Sequence, residues 1–149
     1  MLDKFVAWAK DTAGTLATQV RKYRNRDFLE AAIAGCAMVA AADGVIAPEE
    51  KRKMMGFISH NDALKHFDAA EAIALFEKYA GHFQFDPLIG KGECLKAIAP
   101  LRKRPEEARL MVLVCCAIGT ADGCFDANEK QAVREICAAL EQNPKDFNL

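Results

Sequence analysis

The sequence lacks the features that identify several large classes of protein. Its 149 residues carry a formal net charge of −1, so the composition gives no electrostatic argument for a nucleic-acid or anionic-membrane partner. No apolar run approaches the ~20 residues of a membrane-spanning helix. Charged residues interrupt the apolar residues at the start of the chain, unlike the continuous apolar stretch of a signal peptide. These absences predict a cytoplasmic protein that does not bind nucleic acid.

Motifs for catalysis and for zinc binding are missing as well. No cysteine or histidine run has zinc-finger spacing, and four of the six cysteines lie in apolar helical sequence, where a thiol behaves as a small buried hydrophobe. The segment Gly90-Lys91-Gly92 lacks the spacer and the following Ser or Thr of a phosphate-binding P-loop, so we interpret it as a turn or an irregular helix start. No Gly-x-Ser-x-Gly elbow is present. We therefore predict that the protein is not an enzyme.

Helical periodicity dominates the chain and predicts an all-α protein. Residues 28–42 and 106–121 are almost wholly apolar. At about 15 residues each, they are too long for typical strands and too short to span a bilayer, which favours two buried central helices. Amphipathic helices are predicted over residues 2–20, 68–83 and 127–141. Because no stretch shows sustained two-residue alternation, we expect a single domain over residues 1–149, folded as a compact bundle of about seven helices.

The N-terminal helix has two interpretations. Its apolar stripe, which starts at Leu2 and ends at Val20, can simply pack against the bundle, as most amphipathic helices do. Alternatively, the stripe and the basic cluster of residues 21–26 can lie on an anionic membrane surface. The second interpretation predicts peripheral association with the inner face of the membrane.

An internal repeat divides the predicted bundle into two similar units. Residues 43–51 (DGVIAPEEK) align without gaps on residues 122–130 (DGCFDANEK), and the apolar register continues on both sides, with Cys36 over Cys115. Each unit consists of an apolar helix, an acidic loop and a second helix. The repeat therefore predicts two helical hairpins, over about residues 28–60 and 106–141, that are related by pseudo-symmetry around one core.

Part of the loop pattern has a purely structural explanation. Gly44 and Gly123 can take the left-handed conformation that ends a helix. The apolar residues two positions further on, Ile46 and Phe125, can close the open end of each hairpin. These four positions are accounted for without any ligand.

The acidic residues of the loops admit two interpretations. Asp126 and Glu129 have the spacing of a capping box, so helix capping explains both. Asp43 and Asp122 follow helix C-termini, where a carboxylate opposes the macrodipole, and an acid tolerated there twice suggests a bound cation, a following helix N-terminus or a partner's basic side chain. A hard cation needs several oxygen ligands. The candidate carboxylates are Asp43, Glu49 and Glu50 in the first copy, and Asp122, Asp126 and Glu129 in the second.

Taken together, these features resemble the TerB family. The resemblance rests on the two DG-x-apolar-x-x-x-E loops, residues 85–93 (FDPLIGKGE), the ending at residues 146–149 (DFNL) and the link from the basic cluster into Phe28. It implies a compact α-helical fold with no known catalysis. It also implies a place in the bacterial tellurite and stress resistance system, beside a TerC-type membrane protein and calcium-binding cytosolic partners of the TerD type.

The same resemblance implies metal binding by the loop acids. Carried over by position, the ligands are Asp43, Glu50, Asp122, Asp126 and Glu129. An all-oxygen set favours a divalent cation such as calcium. The first loop has an alanine where the second has Asp126, so the two loops are not expected to bind equally.

Two alternatives to a metal-responsive interaction module stay open at this point. The first is a metal-independent structural adaptor for a membrane-associated resistance complex, in which the loops only cap helices. The second is thiol-based handling of tellurite, for which Cys124 in the second loop is the candidate, because polar residues surround it.

Overall fold

The computed structural model describes residues 25–44, 46–60, 64, 67–120 and 125–149. The α-helices are α1 (Arg26–Ala40), α2 (Pro48–His60), α3 (Ala69–Phe85), α4 (Pro87–Ile98), α5 (Pro105–Gly119) and α6 (Ala127–Leu140), and 3-10 helices span Ala99–Lys103 and Pro144–Phe147. No strand occurs in these residues, so the predicted all-α class is confirmed. Six α-helices are described where the sequence predicted about seven. The predicted N-terminal helix over residues 2–20 lies outside the described residues.

Local sequence signals explain where the helices begin. The side chain of Asn25 caps α1 by accepting a hydrogen bond from the backbone N–H of Phe28 at 2.9 Å. Asp68 and Asp86 cap α3 and α4 in the same way. Proline occupies the first position of α2, α4 and α5, where its missing N–H leaves no hydrogen bond unmade.

The core is built around α1 and α5, the two helices that the sequence predicted to be central. Eleven of the fifteen residues of each helix are buried, and the two helices pack against each other. Cys36 and Cys115, which are equivalent in the repeat, are both buried, and the Cys115 thiol donates a hydrogen bond from α5 to the backbone oxygen of Ala32 in α1 at 3.7 Å. The short side chains of α1, many of them alanine, let α3, α4 and α6 pack around it as well.

Apolar side chains are also found on the surface at the junction of α3 and α4. Phe85 and Leu88 are each 81% exposed, and Ile89 is 42% exposed. In the described part of the chain, no helix is both long enough and apolar enough to cross a membrane.

Candidate functional site

The acidic loops of the two hairpins meet at one cavity of about 200 Å³, here called the acidic cavity. Asp43 and Glu50 line it from the first hairpin, and Asp126 and Glu129 line it from the second. Four of the five predicted metal ligands are therefore brought together, while the fifth, Asp122, lies outside the described residues. Glu49, a first-loop carboxylate by spacing, is exposed and does not line the cavity.

The rest of the cavity wall is apolar apart from one basic side chain. Met54 and Ile118 contribute buried apolar surface from α2 and α5. Lys53 lines the cavity too, with its Nζ 5.9 Å from the centre of the Phe57 ring. Four carboxylates and one ammonium group give the cavity a net negative charge at neutral pH.

Asp43 is held by the opposite hairpin. It follows α1 in an exposed turn, and Gly44 after it has a φ of 101°, the left-handed conformation that the sequence predicted. The Oδ1 of Asp43 accepts a hydrogen bond from the side-chain Nδ2 of Asn128 at 2.7 Å. Sequence analysis did not single out Asn128. The available signal was its alignment with Glu49, because an amide at that position can donate a hydrogen bond and a carboxylate cannot.

The predicted capping box at the start of α6 is confirmed. The backbone N–H of Glu129 donates to Oδ1 of Asp126 at 2.8 Å, and the backbone N–H of Asp126 donates to Oε1 of Glu129 at 3.3 Å. Capping thus accounts for the presence of both residues. It does not exclude a second role, because an ionised carboxylate has two oxygens and about four lone-pair sites.

The capping box at Asp126 leads to a prediction about stability that does not depend on any ligand. We expect Asp126→Ala to lower the free energy of unfolding by about 1 kcal/mol, because the first turn of α6 loses a hydrogen-bond acceptor. Asp126→Asn should cost only a few tenths of that, since asparagine is also a favourable N-cap. Urea unfolding of the metal-free proteins checks both values. If Asp126→Asn lowered the free energy of unfolding as much as Asp126→Ala does, the charge of Asp126, rather than its capping hydrogen bond, would be what stabilises α6.

The described carboxylates of the acidic cavity do not converge on one point. Among residues 25–44, 46–60, 64, 67–120 and 125–149, no three His, Cys, Asp or Glu side chains are close enough to form a metal site. The donor chemistry nevertheless fits a hard cation, which takes about six to eight oxygen ligands. Convergence would require rotation of carboxylates such as Asp43 and Glu50, and both of these are exposed.

The described thiols are unsuited to nucleophilic chemistry. Cys36, Cys94, Cys115, Cys116 and Cys137 are all buried, as expected for cysteines in apolar helical sequence. Burial raises the pKa of Cys94 and Cys116 far above the usual range, and raises that of Cys137 to about 11. The reactive form of cysteine is the thiolate, which burial disfavours at Cys94, Cys116 and Cys137. The candidate Cys124 lies outside the described residues.

The fold and the cavity together define a class of protein, in which two similar helical hairpins carry acidic loops that share one acidic cavity. The family model described as "Tellurite resistance protein TerB" matches residues 29–149. A curated relative from Alcaligenes sp., named "Tellurium resistance protein TerB", is 43% identical over 99 residues, which cover 66% of this chain and 81% of the relative. No solved structure matches. The chain therefore belongs to the TerB family, as its motifs indicated.

Proposed function

We propose that this protein is a non-enzymatic interaction module of tellurite resistance that responds to a divalent cation bound in the acidic cavity. The observation that carries the proposal is the meeting of Asp43, Glu50, Asp126 and Glu129, from two separate loops, at one cavity. In the proposed role, cation binding alters the charged face that the protein presents to a TerC-type membrane protein or to TerD-type cytosolic partners. The protein acts in the cytoplasm, at the inner face of the membrane.

Electrostatics favours a cation over other ligands of the cavity. Four carboxylates around a small volume repel one another, and Lys53 compensates only one of the four charges. Part of the repulsion is offset because Glu50 and Glu129 lie in the first turns of α2 and α6, where the helix dipole favours negative charge. A divalent cation would offset more of the repulsion among the four carboxylates. Oxygen donors favour calcium or magnesium over softer metals such as zinc.

The geometry also supports one composite site rather than one site in each loop. Glu50 and Asp43 reach the cavity from the first hairpin, and Asp126 and Glu129 reach it from the second. Because both hairpins contribute to one cavity, we expect one cation per chain in this cavity. Cation binding would then fix the position of one hairpin relative to the other.

The proposal is tested by titrating metal-free protein with calcium and following backbone amides by NMR, with magnesium and zinc as comparison metals. We expect saturable shifts near residues 43, 50, 126 and 129 at a stoichiometry near one. Asp43→Asn/Asp126→Asn should weaken calcium binding on the order of a hundredfold, because affinity depends on the number of charged ligands. Asparagine keeps the N-cap of α6, so the fold should be retained.

A matched control separates loss of ligands from loss of charge. Asp68→Asn/Asp86→Asn removes the same two charges from N-cap positions of α3 and α4, which do not line the acidic cavity. This variant should bind calcium as the wild type does. Equal weakening of calcium binding in both variants would mean that the overall charge of the protein, and not the cavity ligands, determines the affinity. A flat wild-type titration up to millimolar calcium would contradict the metal proposal.

A flat titration would leave the structural adaptor as the function. The capping box at Asp126 favours this second candidate, since it gives the acidic loop a role without metal. Partner binding would then be independent of calcium. Thiol-based handling of tellurite depends on Cys124, and a Cys124→Ser variant in a tellurite-reduction assay tests it.

A further inference from the structure

The junction of α3 and α4 carries three exposed apolar side chains, here called the apolar corner. Phe85 and Leu88 are each 81% exposed, and Ile89 is 42% exposed. Beside Leu88 is a groove of about 230 Å³, which also includes Met38 and Phe83 in its lining. Apolar side chains that cluster on a surface, rather than lying singly, indicate a contact site.

The apolar corner is continuous with the outer face of α3. Ala70, Ala74 and Gly81 are exposed, and together with Phe85 they follow one another at spacings of four, seven and four residues, which places them on one face of the helix. A Cβ added at Gly81 would meet nothing within 4 Å. Glu77 is the charged residue on this face. Because small side chains let a second helix approach closely, the face can accommodate a helix laid along α3.

The two ends of this face differ in their distance from the start of α1. Arg26 in the first turn of α1 pairs with Glu71 in the first turn of α3, and the Tyr79 hydroxyl donates to Glu30 at 2.6 Å. The far ends of both helices line the same groove, so α1 and α3 run side by side in the same direction. The chain therefore enters α1 beside the start of α3, and Phe85 lies about 21 Å further along, at 1.5 Å per residue.

The segment that precedes α1 lies outside the described residues, but its sequence has the length and the pattern to cover this face. The amphipathic helix predicted over residues 2–20 would be about 28 Å long. Residues 21–25 can span at most about 17 Å, which is enough for the chain to reverse its direction. Laid antiparallel along α3, the apolar stripe of this helix would bring Leu2 and Phe5 to the apolar corner.

We propose that the N-terminal segment, residues 2–20, docks on the outer face of α3 and covers the apolar corner. A segment of the same chain is favoured over a separate partner because a short link gives it an effective concentration of about millimolar. The stripe then packs on its own domain and not on a membrane. This inference does not depend on cation binding, since the apolar corner contains none of the carboxylates of the acidic cavity.

Amide hydrogen exchange, measured by NMR on the full chain, tests the docking. We expect amides of residues 2–20 to be protected in the wild type. In Phe85→Ser their exchange should become faster on the order of tenfold, because burying one large apolar side chain is worth about that factor. Gln84→Ser is the matched control, since Gln84 is the exposed polar neighbour of Phe85, and it should change the exchange little. Exchange in α5 shows in the same spectra that each variant is folded.

The reciprocal variants change the N-terminal segment and are observed at the apolar corner. In the wild type, the ring of Phe5 should give nuclear Overhauser effects to the methyl groups of Leu88 or Ile89. Phe5→Ser should shift these methyl signals toward the positions of solvent-exposed side chains. Lys4→Ser should leave them in place, because Lys4 falls on the opposite side of the predicted helix from the apolar stripe.

Four outcomes would overturn the proposal. Two of them are exchange of residues 2–20 at the rate of an unprotected chain in the wild type, and protection that Phe85→Ser leaves unchanged. The third is protection that increases with protein concentration, which would mean that a second copy covers the apolar corner. The fourth is protection that appears only with vesicles of anionic phospholipid, which would assign the stripe to a membrane. All four leave the calcium titration unaffected, so the two proposals stand or fail separately.

Discussion

Truncating Phe125 to alanine should lower the free energy of unfolding by about 3–5 kcal/mol, the usual cost of removing a large buried aromatic side chain. Phe125 is 1% exposed and closes the open end of the second hairpin. Its ring packs so closely on the end of α5 that a Cβ added at Gly119 would lie 2.2 Å from the ring. The cavity left by truncation therefore has a rigid helix on one side and cannot collapse freely. Urea unfolding followed by circular dichroism measures the change.

The matched control for Phe125 is its repeat equivalent, Ile46. Ile46 also follows an Asp-Gly pair but is only partly buried. We expect Ile46→Ala to cost clearly less, about 1–2 kcal/mol, in proportion to the smaller apolar area that it removes from water. Equal losses of unfolding free energy at the two positions would contradict the difference in burial between Phe125 and Ile46.

Two glycines of α4 should respond in opposite directions to the same substitution. At Gly90, an added Cβ would lie 2.5 Å from the Phe83 ring and 2.7 Å from its Cα. Because the Cα belongs to the backbone of α3, the two helices must separate, and we expect Gly90→Ala to lower the free energy of unfolding by about 1–3 kcal/mol. Thermal and urea unfolding report the change.

The second glycine, Gly92, supplies the control on the same helix. An added Cβ at Gly92 meets nothing within 4 Å. Gly92→Ala should therefore stabilise the protein by about 0.5–1 kcal/mol, since alanine loses less backbone entropy than glycine on entering a helix. If both substitutions stabilise, the contact of Gly90 with α3 is looser than described. If both destabilise, the helix itself requires glycine for another reason.

The helices could be predicted from the sequence because their signals are local. The predicted spans 68–83, 106–121 and 127–141 correspond to helices Ala69–Phe85, Pro105–Gly119 and Ala127–Leu140, with ends that differ by no more than a few residues. N-caps and prolines act within one turn of the chain, so a single sequence is enough to locate them. The segment around Gly90 was harder, because its two glycines suggested a turn or an irregular helix start. The segment is a regular helix in which Gly90 allows close contact with Phe83.

The candidate site could be predicted only in part. Residues 43–51 and 122–130 were identified as two acidic loops, each with its own set of carboxylates. That Glu50 and Asp126 line the same cavity depends on how α1 packs against α5, which is a long-range feature that the local pattern does not contain. Asn128 was missed for the same reason, because its partner Asp43 is distant in sequence and belongs to the other hairpin.

The small number of buried residues in α2 has a consequence for how the protein moves. Only Met54 and Ile58 are buried from this helix, fewer than from any other α-helix in the described residues. Partial opening of α2 therefore exposes little fully buried apolar surface, and we expect its free energy to lie below that of global unfolding. Since α2 forms one side of the acidic cavity, the cavity can widen or close while α1 and α5 keep their packing. We therefore expect the better-packed helices α1 and α5 to stay fixed while α2 adjusts.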